Sequence, residues 1–200
     1  MARKLRASFV TAIMLVLVFP LAPAAAHKLR EKGVAVTVAG SEVLVTPTRE
    51  WNKLDGKLGK HTETWTLDGR QLNDVTFFAG VPSGEPLFRE RSKKREPLPK
   101  FTAETLLVEI PELLEGTYRA NGQIASFTLV KTEPAKFLGR DGIFFEFEFA
   151  DADQLTRRGQ AFAAVIDQKL YMVKYEAPRL AFYDKYLADF QLLASSAKLP

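Results

Sequence analysis

The chain has 200 residues, 46% of them hydrophobic and 26% charged, enough apolar material for one core and one domain. It contains no cysteine, so it has neither disulfides to stabilise it in an oxidising compartment nor a cysteine for lipid attachment. The formal charge of +4 owes much to Arg3, Lys4 and Arg6; without them 25 bases face 24 acids, and non-specific nucleic-acid binding loses its main support.

Residues 1–26 read as a cleavable signal peptide. Arg3, Lys4 and Arg6 form a basic start, Phe9 to Leu21 an apolar stretch broken by Pro20, and Ala24, Ala25 and Ala26 a small-residue cleavage site. The apolar run is shorter than the roughly 20 residues that span a bilayer, which makes an uncleaved anchor the weaker alternative. The expected product is a periplasmic or secreted single domain, residues 27–200, starting at His27 and carrying no transmembrane segment.

Val34–Val38 and Glu42–Thr46 are two short strand candidates around Gly40, and Pro47 ends the second. Trp51 follows, and Lys53–Lys60 is a turn-rich loop. Thr62–Leu67 and Gln71–Ala79 form a hairpin about Asp68-Gly69, with Trp65 on its buried face. Gly80–Lys100 holds Pro82, Pro86, Pro97, Pro99 and a charged block from Arg89 to Glu96, and reads as a long connection without regular structure. One reading is a basic finger for an anionic partner. The other is a solvated loop, which the two glutamates within the block favour.

Thr102 is placed to cap a helix over Ala103–Ile110. Its apolar stripe of Leu106, Leu107, Ile110, Leu113 and Leu114 is interrupted by Pro111, which should kink or split it. Gly116 and Asn121-Gly122 then lead into a strand over Ile124–Lys131, with Phe127 and Leu129 on one face, and Thr132–Gly142 is a connection. From Gly142 the pattern becomes a meander. Ile143, Phe145, Phe147 and Phe149 alternate with Glu146 and Glu148, so the glutamates take the wet face. Gln160–Ile166 is apolar on both faces and should be central in the sheet. After the hairpin turn at Asp167–Lys169, Tyr171, Val173 and Tyr175 share one face and Lys174 points the other way. Pro178 stops that strand. Tyr183, Tyr186, Leu187, Phe190 and Leu193 then recur at helical spacing over Tyr183–Ser195, with Asp184 at the helix start.

Taken together these elements give an α+β domain: an antiparallel β-sheet with a central helix and a C-terminal amphipathic helix packed on it. The order of elements resembles the PsbP-like α-β-α sandwich group. The features that carry the likeness are the strand ending in Pro47 and Trp51, the strand pairs flanking a central helix, and the meander running through Ala177-Pro178 into a terminal helix containing Phe190–Ser195. The resemblance implies helices packed on an antiparallel sheet and a role in binding or assembly. It carries over no site residue.

Chemistry-bearing motifs are scarce. His27 and His61 are the only histidines, and no nucleophile elbow, zinc-protease, phosphate-loop or dinucleotide fingerprint occurs. No residue is assigned as catalytic, cofactor-binding or metal-ligating, and no cofactor is expected. The favoured reading is a non-enzymatic envelope protein that binds another envelope protein or an apolar small ligand. The alternatives are a hydrolase that uses His61 with carboxylates such as Glu146, Glu148, Asp151 or Asp153, and a copper site formed by the His27 amine and imidazole with His61.

Overall fold

The computed structural model describes residues 28–200 apart from Lys93, Arg95, Glu96 and Gln123, so the segment 1–26 and His27 lie outside the described residues. The strands are β1 (Lys28–Arg30), β2 (Val36–Thr37), β3 (Leu44–Val45), β4 (Trp51–Lys53), β5 (Thr62–Thr66), β6 (Asp74–Pro82), β7 (Ile124–Phe137), β8 (Arg140–Asp151), β9 (Thr156–Ile166) and β10 (Lys169–Pro178). The helices are α1 (Ile110–Ala120) and α2 (Tyr183–Ser195). Eight strands form one antiparallel sheet in the order β1-β4-β5-β6-β10-β9-β8-β7, and β2 and β3 make a small separate ribbon.

Two-residue periodicity divides the side chains between two cores. On β10, Tyr171, Val173, Tyr175 and Ala177 pack with α2, Trp51, Trp65 and the ribbon. Leu170 and Met172 face the opposite way and join Phe78, Phe145, Phe147, Phe149 and the apolar face of α1. The domain is therefore three layers, helix–sheet–helix, with β9 and β10 central and covered on both sides. The meander, the central position of Gln160–Ile166 and the bounds of the last helix agree with the pattern in the sequence. The β9–β10 turn places Asp167 and Gln168 at φ 48° and 59°, the left-handed pair that suits a tight hairpin.

Several elements depart from expectation. The first helix begins at Ile110, not Ala103, after a 3-10 turn at Leu107–Glu109, and Pro111 lies in its first turn. A proline there forfeits an N–H that has no intrahelical acceptor anyway, so it starts the helix instead of kinking it. Gly116 lies inside α1, where an added Cβ would stand 3.0 Å from the Pro99 ring. Thr132–Phe137 belongs to β7, an edge strand in which Pro134 removes no ladder bond to the interior, and bulges at Ala125 and Val130 irregularise its pairing.

Gly80–Lys100 is more tied down than its composition suggested. Leu87, Phe88 and Leu98 are buried, Pro86 bridges to Lys100, and Arg89 N–H donates to the Leu58 carbonyl at 2.7 Å. Glu146 and Glu148 do not lie on an open wet face. They sit half-buried beside α2, paired with Arg158 at 3.2 and 3.9 Å. No helix among the described residues is long and apolar enough to cross a membrane.

Candidate functional site

The face that α1 covers is apolar toward one end of the sheet and changes character toward the other. Register explains the change: β10 pairs Lys174 with Thr76 and Glu176 with Asp74 of β6, and places Arg158 and Arg157 of β9 beyond Glu176. Asp74, Thr76, Lys174, Glu176 and Arg157 thereby converge beneath Tyr118 of α1. Asp74, Lys174, Glu176 and Arg157 floor a cleft of about 280 Å³ that is walled by Leu58, Phe88, Tyr118 and Phe149 and rimmed by Arg70 and Asp151.

Lys174 does point away from Tyr171, Val173 and Tyr175, and on that other face it is covered, only 1% exposed. Its Nζ donates to Oε2 of Glu176 at 2.6 Å, lies 3.5 Å from Oδ1 of Asp74, and sits 5.5 Å from the Tyr118 ring centroid. The Tyr118 hydroxyl donates to the same Glu176 oxygen at 2.5 Å, and the Thr76 hydroxyl donates to Asp74 at 3.1 Å. Burial pushes Asp74 up to about 6 against the attraction of Lys174, and the Glu176 charge adds to the rise. Burial acts on Glu176 in the same sense, but Lys174, Arg157 and the two hydrogen bonds outweigh it and hold this carboxyl below its ordinary range. Desolvation and the adjacent carboxylates keep the Tyr118 hydroxyl protonated.

A second buried carboxylate on the opposite face provides the contrast. Glu63 accepts from Arg30 at 2.5 Å, Trp65 Nε1 at 2.8 Å, Lys53 at 2.9 Å and the Ala39 N–H at 3.1 Å. Those donors outweigh burial and hold it low. With four donors it is saturated, as a structural tie between β1, β4 and β5 should be.

A larger hollow of about 570 Å³ lies alongside the cleft, bordered by Lys57, Lys60, Glu85, Arg89, Glu90 and Lys100, and Phe88 borders both.

No family model matches this chain, and no curated protein matches it in sequence. Solved structures do match in shape. The cyanobacterial PsbP (CyanoP) from Synechocystis sp. PCC 6803 superposes with a TM-score of 0.55 at 11% identity, covering 92% of this chain and 99% of that one. This chain has a PsbP-like fold. The Ran-binding protein Mog1p of Saccharomyces cerevisiae gives 0.48 at 8% identity over 85% of this chain and 96% of its own. LpqN, involved in cell envelope biogenesis of Mycobacterium tuberculosis, gives 0.35 at 8% over 84% and 86%.

On the PsbP-like scaffold the residues weighed from sequence remain scattered. His61 Nε2 lies 2.9 Å from Oε2 of Glu85, whose other oxygen accepts from Lys60 at 2.8 Å. This contact clips the loop to the start of β5, and His61 does not border the neighbouring hollow. Glu146 is engaged by Arg158 and Gln160, and Asp151 Oδ1 accepts the N–H groups of Asp153 and Leu155 at 3.0 Å within its own turn. Among the described residues no three His, Asp or Glu side chains converge as a metal site would require, and His27 lies outside them. Sequence reading missed the cleft itself. Its one signal is the change along a single face of β10 from Leu170 and Met172 to Lys174 and Glu176.

Proposed function

We propose that this chain is an exported envelope protein that binds a ligand without transforming it, and that the cleft beneath Tyr118 is its binding site. The observation that carries the reading is the fully buried Lys174 between two carboxylates at the floor of an open cavity. An ion cluster taken out of water costs several kcal/mol per ion and stabilises a fold no better than apolar packing of the same volume. Next to aromatic walls and a route to solvent, such a cluster is arranged as small-molecule sites are, with few polar groups fixed in a largely apolar lining. Export is supported by the basic start, apolar stretch and alanine cleavage site of residues 1–26.

Native mass spectrometry of the protein taken from its own envelope fraction tests both halves. The expected species starts at His27 and carries a small-molecule mass that the cleft-filling variant Leu58→Trp lacks. A bound mass retained by Leu58→Trp would place binding elsewhere, and a retained leader would remove export.

A further inference from the structure

Hydrogen-bonding capacity within the cleft is unevenly spent. Both floor carboxylates are committed, Glu176 to Lys174 and Tyr118, and Asp74 to Thr76 and Lys174. Asp151 is turned into its own loop. The arginines are not matched in this way. Arg157 is 5% exposed, yet its one hydrogen bond among the described residues runs from Nη1 to the Gln71 carbonyl at 2.8 Å. It has no carboxylate within ion-pair distance there, although its charge is felt by Asp74 and Glu176. Arg70, exposed at the rim of the same cavity, likewise has no ion-pair partner among the described residues. A guanidinium offers five donors in a planar fork, and a buried one left with a single neutral acceptor is short of an anion. The remaining walls are Leu58, Phe88, Tyr118 and Phe149. Phe88 and Phe149 flank Tyr118 with ring centroids 5.7 and 5.3 Å from it.

From this we infer that the cleft takes a small monocarboxylate with a compact apolar or aromatic body, its carboxylate bridging Arg157 and Arg70 and its body against the Phe88–Tyr118–Phe149 wall. The inference rests on the cleft being the binding site and adds the chemical class of its occupant. Carboxylate and guanidinium match as a fork to a fork, so the pair fixes orientation as well as charge. The Lys174–Glu176–Asp74 cluster then acts as a positioning floor: it is internally paired, holds Tyr118 in place and leaves the arginines to the ligand.

Calorimetric titration of the purified protein with benzoate, hexanoate, benzyl alcohol, benzylamine and inorganic phosphate tests it. Benzoate or hexanoate binds, while the alcohol, amine and phosphate give no heat. The rim variant Arg70→Ala, which removes no buried group, weakens benzoate by roughly tenfold or more, the worth of one charge-assisted hydrogen bond. Arg157→Met, with its fold checked by circular dichroism, abolishes binding. Equal binding of benzyl alcohol or benzylamine would overturn the charge assignment, and phosphate binding without benzoate would overturn the apolar body. Silence from both carboxylates overturns the inference. If the Leu58→Trp-sensitive mass still co-purifies in that case, the binding site stands and only its ligand class falls.

Discussion

Asp74 illustrates how a buried group couples this fold to pH. Its carboxyl is raised from 3.8 to about 6 in the folded state, chiefly by burial. The native state thus holds a proton that the unfolded chain has released across that window. The contribution of Asp74 to stability is complete below 3.8 and is lost as pH rises through about 6. Glu63 and Glu176, held low, act with the opposite sign: their contributions exist above the unfolded value and fade as pH falls through the folded one. In the native protein the two trends oppose each other. Asp74→Asn deletes the falling one, so its urea midpoint should climb more steeply than that of the parent between pH 4 and pH 6, by up to about 2 kcal/mol of relative stability. Parallel profiles would mean that Asp74 titrates normally. None of this was legible in the sequence. The pattern shows only that Lys174 points away from Tyr171, Val173 and Tyr175, because alternation shows which face a residue takes but not what covers that face. The cluster exists only once β6, β9 and β10 are in register.

At the level of elements, local pattern and tertiary context competed, and the outcome depended on length. The strands after Gly142 and the terminal helix were readable because each carries enough repeats to fix its period. The helix reading over Ala103–Ile110 starts too early because Leu106 continues the apolar stripe although it is exposed, and because a proline is equally at home in a first turn and at a break. The Gly80–Lys100 segment looked loose by composition, yet it is stapled from below at a glycine. Any Cβ on Gly59 would collide with the Leu87 carbonyl. Gly59→Ala should therefore cost about 1–3 kcal/mol by forcing that contact apart. It should also expose the peptide after Arg89 to trypsin, read as a faster first cut under native conditions. An unchanged digestion pattern would show that the loop yields without leaving its seat. The cleft should respond as well, because Leu87 and Phe88 are neighbours on this strap and Phe88 walls the cleft.

Across the whole molecule, the sheet separates two cores that are closed in different ways. The α2 side is closed by the ribbon, by Trp51 and Trp65, and by a return of the chain in which Lys198 bridges to Leu44. On the α1 side the apolar packing gives way to the charged floor and the hollow. The three-layer arrangement follows from the sequence, since apolar residues on both faces of β9 and β10 require cover on both sides.

The outer strands finish the sheet in different ways. β1 is only three residues long, whereas β7 runs for fourteen, carries Pro134 and is bent by two bulges in its pairing with β8. The outward-facing N–H and C=O groups of a straight edge strand that long, every second residue of it, would template the next copy of the chain, and the next, into a fibril. A missing amide and two kinks remove that template, so the protein should stay colloidally stable at concentrations where an unbroken border would nucleate polymer. Replacing Pro134 by Thr restores the amide. Growth of thioflavin fluorescence in that variant, absent from the parent at equal concentration, would identify one ring as what keeps these molecules apart.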